Sequence, residues 1–387
     1  TQTNTTVSVT GGVGYIDCDS FGTQTGTYFQ EGVRGNDSAV HAWIVDLRGN
    51  GGGLTSAAVS ALGAFSGEGD LTYFVDQDGE STAQSYSGKD LTDKPAIVLM
   101  DSGSASASEI FAGGVLGTGS GIVIGTRSYG KGVAQVLYDE SNCPYLHGDA
   151  VKVTAYRFYC AGGNTTDRIG VVPTLYIPQD QAVAAARLLS GEKTKDSAYL
   201  HLVLNGCDFY IDIPAAKESS STVLEAILTA LTPGAEIYWG ENGGERKLTL
   251  AQAREKCGFA ASSALDFSDV ADSEYAQEID SLAASRIVFG DGGKFRPDAT
   301  MTRAEVCALL AQALDLYSTA NGYFTDVAKG SWYAPSVNAM AAIGLVSGVG
   351  GGKFDPNATM TQEEFITVLG RLVELVNLDA REFLDKN

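Results

Sequence analysis

The pattern of apolar and polar positions divides the chain into three stretches. Up to about residue 190, short apolar runs alternate with segments of helical spacing. Val13-Gly-Tyr-Ile16, Ala42-Trp-Ile-Val-Asp46, Ala96-Ile-Val-Leu-Met100 and Ile122-Val-Ile124 predict buried strands, and Val151 to Tyr159 is also strand-like. Ser56 to Phe65, Glu109 to Leu116 and Gln179 to Leu189 predict helices. Such alternation predicts an α/β domain with a central sheet over residues 1–190.

Residues 191–262 change character. A polar linker, Lys193-Thr-Lys-Asp-Ser197, precedes a β-rich stretch from Tyr199 to Ile213. A helix over Val223 to Leu231, a strand at Glu236-Ile-Tyr-Trp239 and a helix over Thr249 to Lys256 follow. We read a small α+β spacer domain there, with no functional assignment.

Residues 263–387 hold an internal repeat, over 267–316 and 324–377. Phe267-Ser-Asp-Val270 recurs as Phe324-Thr-Asp-Val327, and Lys294-Phe-Arg-Pro-Asp-Ala-Thr-Met-Thr302 as Lys353-Phe-Asp-Pro-Asn-Ala-Thr-Met-Thr361. Each copy runs into an amphipathic helix, Ala304 to Leu316 and Glu363 to Val376. Thr302 with Glu305, and Thr361 with Glu364, fit capping boxes. Two helices per repeat predict an all-α domain. The loop Gly290-Asp-Gly-Gly293 lacks the carboxylates of a calcium loop and reads as a turn.

Composition narrows the function classes. The chain has 387 residues, 44% of them hydrophobic, and a formal net charge of −21. That charge makes nucleic acid and anionic membranes poor partners. No stretch reaches the ~20 apolar residues needed to span a bilayer. The polar opening Thr1 to Thr6 reads as the start of a processed chain, which is compatible with secretion. The cysteines show no zinc spacing and read mainly as buried apolar residues; Cys143 and Cys160 flank a predicted hairpin and are a candidate bridge. His41, His147 and His201 sit in no catalytic string and read as structural, so the general base of any hydrolase here is expected to be another residue.

Three strings carry chemistry. Val98-Leu-Met-Asp-Ser-Gly-Ser-Ala-Ser-Ala-Ser-Glu-Ile110 is a strand–loop–helix junction, which can expose a nucleophile where helix N–H groups stabilise an oxyanion. Ser106 with Glu109 also fits a capping box, and the run alone does not say which serine acts. In Ser128-Tyr-Gly-Lys-Gly-Val-Ala-Gln135, a lysine framed by glycines can enter an apolar pocket and serve as a neutral base. The competing reading is an exposed lysine in a turn. Asp46-Leu-Arg-Gly-Asn-Gly-Gly-Gly53 brings backbone N–H groups close to a ligand, and lacks the ending of a phosphate loop.

In this order and spacing, the strings resemble the core motifs of carboxy-terminal processing (tail-specific) serine proteases: Asp-Leu-Arg-x-Asn-x-Gly-Gly, Ser-Ala-Ser-Ala-Ser-Glu and Tyr-Gly-Lys-Gly-x-x-Gln. Val151 to Tyr159 and Gly170-Val-Val-Pro173 continue the match, which covers about residues 11 to 190. The resemblance implies a crotonase-like ββα core, Ser106 as nucleophile, Lys131 as base and Gln135 as its assistant. It further implies oxyanion donors from the backbones of Gly52 and Ala107, no metal and no organic cofactor. Its substrates would be proteins or peptides, cut near C-termini or in unfolded segments. Those proteases usually carry a PDZ domain before the strand at Val13, and little chain precedes that strand here.

The repeats resemble S-layer homology modules, which bind cell wall polysaccharide and hold proteins at the bacterial surface. Thr302-Arg-Ala-Glu305 keeps the family string, with Arg303 facing an anionic sugar substituent. Asp269, Glu305 and Trp332 complete the expected polymer-binding set. The second repeat reads Thr361-Gln-Glu-Glu364 and lacks that arginine, and two modules are visible where three usually combine. The resemblance thus implies an extracellular, wall-tethered protease. The competing reading is a wall-bound scaffold with an inactive or latent protease-like domain, against which the retained serine, lysine and glutamine argue.

Overall fold

The computed structural model describes residues 4–232, 234–261 and 266–377. The chain divides into two compact units, Thr1–Ser263 and Ala264–Asn387. The expected boundary at 262/263 lies outside the described residues.

In chain order the first unit contains β1 (Thr5–Thr10), β2 (Val13–Cys18), α1 (Thr25–Asn36), β3 (Ala42–Asp46), α2 (Thr55–Ser66), β4 (Gly69–Val75), β5 (Ser81–Tyr86) and β6 (Ala96–Met100). Next come α3 (Ala107–Thr118), β7 (Gly121–Gly125), β8 (Val133–Tyr138), β9 (Val151–Cys160), β10 (Leu175–Tyr176) and α4 (Ala182–Leu189). The former spacer stretch supplies β11 (Tyr199–Leu204), β12 (Cys207–Asp212), α5 (Ile213–Ser219), α6 (Ser221–Ala230), β13 (Glu236–Glu241), β14 (Gly244–Leu248) and α7 (Leu250–Cys257).

The central sheet runs β1-β2-β3-β6-β7-β10, parallel from β2 onward, with β1 antiparallel at its edge. Every residue of β3, β6 and β7 is buried, which explains their unbroken apolar runs. Successive residues face opposite sides. Trp43, Val45, Val98, Met100 and Val123 join α1, α2, α3 and Phe74 and Phe158 of the second sheet. Ile44, Ile97, Leu99, Ile122 and Ile124 join α4 and residues 200–257.

Two antiparallel sheets flank this one, β5-β4-β9-β8 and β12-β11-β13-β14. The stretch expected to stand apart as a spacer therefore packs its apolar residues into the same core as the central sheet. The six cysteines are free, so the candidate Cys143–Cys160 bridge is not formed. Cys160 is buried in β9, its thiol on the Glu109 carbonyl at 3.5 Å.

The second unit contains α8 (Ala276–Ala284), α9 (Arg303–Ala313), α10 (Ala334–Ala342) and α11 (Gln362–Val376). Isolated bridges, Asp291–Lys294, Gly350–Lys353 and Thr302–Thr359, add to these helices. The repeated strings have a shared physical cause. The Asp269 carboxylate accepts the N–H groups of Phe295 and Arg296, both at 2.9 Å, and Asp326 accepts those of Phe354 and Asp355 at 2.8 and 2.9 Å. Arg296 and Asp355 hold positive φ angles of 62° and 57°, so each carboxylate fixes a left-handed turn. The capping boxes form: Thr302 Oγ1 accepts from Glu305 N and Thr361 Oγ1 from Glu364 N, each at 3.2 Å.

Candidate functional site

The C-terminal ends of β3 and β6 bring two of the three strings together. After β6, Asp101 Oδ1 accepts the N–H groups of Gly49 and Gly103, both at 2.9 Å, tying the glycine-rich turn to the serine run. At the end of β3, Asp46 holds Arg48 by a two-point pair at 2.9 and 2.6 Å and accepts the Tyr15 hydroxyl at 2.6 Å. Burial pushes the Asp46 carboxyl up, but the bonds from Arg48 and Tyr15 outweigh it and hold the group below its ordinary range.

The hydroxyls of the serine run have different surroundings. Ser104 Oγ donates to Leu47 O at 2.7 Å and Ser108 Oγ to Asn50 O at 2.9 Å; both residues are buried. Ser106 is half-buried at the N-terminus of α3, with φ 59° and ψ −113°. A positive φ in a residue with a side chain costs of order 1–3 kcal/mol and recurs at functional sites. The first turn of α3 is closed by the Ser106 carbonyl, which accepts Glu109 N at 2.8 Å. Among the described residues no hydrogen bond joins Ser106 Oγ to Lys131 Nζ, and Lys131 is half-exposed rather than sealed in the expected apolar pocket.

Glu109 supplies the link that sequence reasoning missed. Its carboxylate is fully buried and accepts four donors. Oε2 takes Ser106 N at 2.7 Å and Lys131 N at 2.9 Å; Oε1 takes Ser128 Oγ at 2.6 Å and Gly130 N at 2.7 Å. One oxygen thus holds the candidate serine and lysine backbones less than two hydrogen-bond lengths apart. Burial pushes the Glu109 carboxyl upward, opposed by these bonds. Its sequence signals were the capping-box spacing and its place at the end of the Ser-Ala-Ser-Ala-Ser-Glu string, neither of which named this role. Ser128 Oγ also accepts Val171 N at 2.6 Å, clamping the lysine loop against the Gly170–Pro173 string.

Gly52 lies against the nucleophile. A Cβ there would meet Ala105 O at 2.6 Å, Ser106 Cβ at 2.8 Å and Ala107 N at 2.9 Å, and φ is 101°. Glycine is required on both counts. The structure therefore brings Gly52, Ser106 and Ala107 into contact, but the Gly52 N–H donates to Asn50 Oδ1 at 2.8 Å. Asn50 is a second centre that sequence reasoning passed over: fully buried, it also donates to Cys18 O at 2.7 Å and accepts Ala105 N at 3.0 Å. Gln135 is exposed on β8, its amide 3.4 Å from Thr154 Oγ1.

His41 Nε2 meets Ser190 O, and His201, stacked between Tyr210 and Tyr238, meets Asp208, both at 2.8 Å. A cavity of about 740 Å³ opens at the other end of the parallel strands, beside His41, Lys94 and Ser120. Its lining contains none of the candidate residues.

In the second unit, Arg303 does not present its fork outward. It is buried, its guanidinium 4.7 Å from the Phe354 ring centre, and its Nε, Nη1 and Nη2 donate to Phe354 O, Glu364 and Ser347 O at 2.9, 2.7 and 3.0 Å. It fastens the first repeat to the second. Asp269 and Glu305 are engaged in the turn and cap described above, while Trp332 is 65% exposed.

Comparison with known proteins identifies two kinds of domain along the chain. Residues 12–177 match the model of peptidase family S41, and residues 266–307 and 323–366 match that of the S-layer homology domain. The carboxyl-terminal-processing protease of Synechocystis sp. is 28% identical over 197 residues, covering 51% of this chain and 43% of that protein. The carboxy-terminal processing protease CtpB of Bacillus subtilis is 30% identical over 207 residues, 51% of this chain and 42% of that one. The chain thus spans less than half the length of these curated relatives. Among solved structures, the photosystem II D1 C-terminal processing protease is 27% identical, covers 50% of this chain and 54% of its own, and superposes with a TM-score of 0.43. The chain therefore carries a peptidase family S41 domain, similar to carboxyl-terminal processing proteases, followed by two S-layer homology domains.

Proposed function

We propose that the chain is a serine endopeptidase in which Ser106 and Lys131 form the catalytic dyad, held at the cell wall by its C-terminal repeats. The observation that carries this reading is the left-handed Ser106 at the start of α3, joined to the lysine loop through a single oxygen of Glu109. Ser106 Oγ attacks the scissile carbonyl as the Lys131 amine accepts its proton. The ammonium then protonates the leaving amine, and water, deprotonated by the same amine, releases the acyl group. The Ala107 N–H at the helix start stabilises the oxyanion; the Gly52 N–H joins it once released from Asn50. Gln135, on the strand that follows the lysine, assists the amine. Substrates are proteins or peptides in unfolded or C-terminal segments, and the chain works outside the cell. The wall polymer contacts the second unit at exposed groups, Trp332 foremost, with Arg303 setting the geometry of the repeat junction.

The Asn50–Gly52 bond favours one variant of this reading, a latent form whose oxyanion site opens on substrate binding. Hydrolysis of casein by the full chain, beside Ser106→Ala and Lys131→Ala, tests both. Loss of activity in both variants is expected. Activity that survives Ser106→Ala refutes the dyad, and an inert parent chain that still binds casein supports the latent form.

A further inference from the structure

β8 leaves the candidate site two residues after Lys131 and, among the described residues, is the outer strand of its sheet, paired with β9 alone. An unpaired strand edge is a template for another strand. At its far end Asn142 Nδ2 caps the Leu137 carbonyl at 2.9 Å, which leaves Val133 to Val136 as the open run. Four extended residues span roughly 13 Å.

Side chains opposite one another across the hairpin share a face. Val136 pairs with Val153 and Tyr138 with Val151, so these four line one face. That face is apolar and open to solvent: Tyr138 is 40%, Val151 45% and Val153 42% exposed. An apolar face beside an open edge suits an added extended strand, which bonds the edge through its main chain and lays alternate side chains on the face.

We propose that the β8 edge and the Val136–Tyr138–Val151–Val153 face dock an extended, apolar segment of a polypeptide substrate, leading its chain to Ser106. Continuity with the lysine loop selects this occupant over a second copy of the chain. The proposal rests on the peptidase reading above, and its test separates the two.

The full chain carrying Ser106→Ala is titrated with a fluorescein-labelled decapeptide of alternating valine and threonine, flanked by lysines, and binding is followed by anisotropy. A second peptide carries N-methyl groups on alternate residues, which removes its strand hydrogen bonds. We expect the methylated peptide to bind at least about tenfold more weakly, and Tyr138→Lys/Val153→Lys to weaken the plain peptide by a similar factor. Equal binding of the two peptides overturns the proposal even if the double variant misfolds. Sedimentation adds a further check: a dimer in the parent chain that the double variant splits makes the strip a copy-to-copy interface and also overturns it. Cleavage of the plain peptide by the Ser106 chain is measured separately. Cleavage with indifferent binding sinks the docking strip alone; strand-like binding without cleavage upholds the strip and points to the latent form of the peptidase.

Discussion

Replacing Glu109 by glutamine isolates what its second oxygen does. The parent carboxylate accepts four donors while fully buried. Glutamine keeps one accepting oxygen and turns an NH₂ toward the other pair of donors. Ser106 N and Lys131 N are fixed main-chain donors, so the amide oxygen will face them. The NH₂ then meets Ser128 Oγ, which can accept by turning its own proton away, and Gly130 N–H, which cannot. One buried N–H is left unpaired, at about 1–3 kcal/mol, and charge assistance is lost on the other bonds. Burial opposes the ionised group, so removing its charge returns part of that. The net expectation is about 2 kcal/mol of destabilisation for Glu109→Gln and at least twice that for Glu109→Ala, which orphans every donor. Against a typical total of ~5–15 kcal/mol, both are measurable as shifts in the urea midpoint at constant m-value. Glu109→Gln should retain residual hydrolysis because the Ser106–Lys131 link survives; Glu109→Ala should have none. If the alanine variant is no less stable than the glutamine one, the four-donor account of this carboxylate is wrong.

Ser106→Gly should raise stability by about 1 kcal/mol relative to Ser106→Ala, because glycine accepts the left-handed backbone, while both abolish hydrolysis; equal melting temperatures would show that the backbone there is unstrained. Arg303→Lys should cost the second unit about 2–4 kcal/mol through the lost Phe354 and Ser347 bonds and ring stacking, with faster hydrogen exchange in both α9 and α11; unchanged protection in α11 would show that Arg303 does not join the repeats. Some burial raises the Asp326 carboxyl, but the N–H groups of Phe354 and Asp355 outweigh it and hold the group below its ordinary range. Its stabilisation is therefore complete above the unfolded carboxylate pKa of ~4 and is lost as pH falls through the lower folded value. Asp326→Asn should flatten the loss of melting temperature between about pH 5 and pH 2; an unchanged acid limb refutes that role.

The parts legible in the sequence are those where one environment acts on a whole element. β3, β6 and β7 are buried on both faces, so their runs are wholly apolar. The repeats show because each carboxylate-held turn is written twice. Residues serving close approach were not legible. α1 contains Gly26, Gly32 and Gly35, and no element was predicted there; Gly26 packs on Ser60 and Gly32 on Val7. β5, Ser-Thr-Ala-Gln-Ser-Tyr, is a polar edge strand without an alternating signal. Which face of the central sheet β11 and its neighbours would cover depends on contacts far apart in the chain. At the site, motif order marked Ser106 and Lys131 as candidates, whereas the hydrogen bonds of Glu109 and Asn50 depend on which donors the fold points at them.

The shared core also sets where the first unit could be cut and grafted. The family match ends at residue 177, yet Leu200, Leu202, Leu224, Ile227 and Trp239 pack in the same apolar cluster as Ile44, Ile97 and Ile122. A transplant ending at the family boundary would carry a bare hydrophobic wall and clump with its own kind. The smallest portable piece runs on through α7, so the central sheet and its later neighbour can be moved only as a pair.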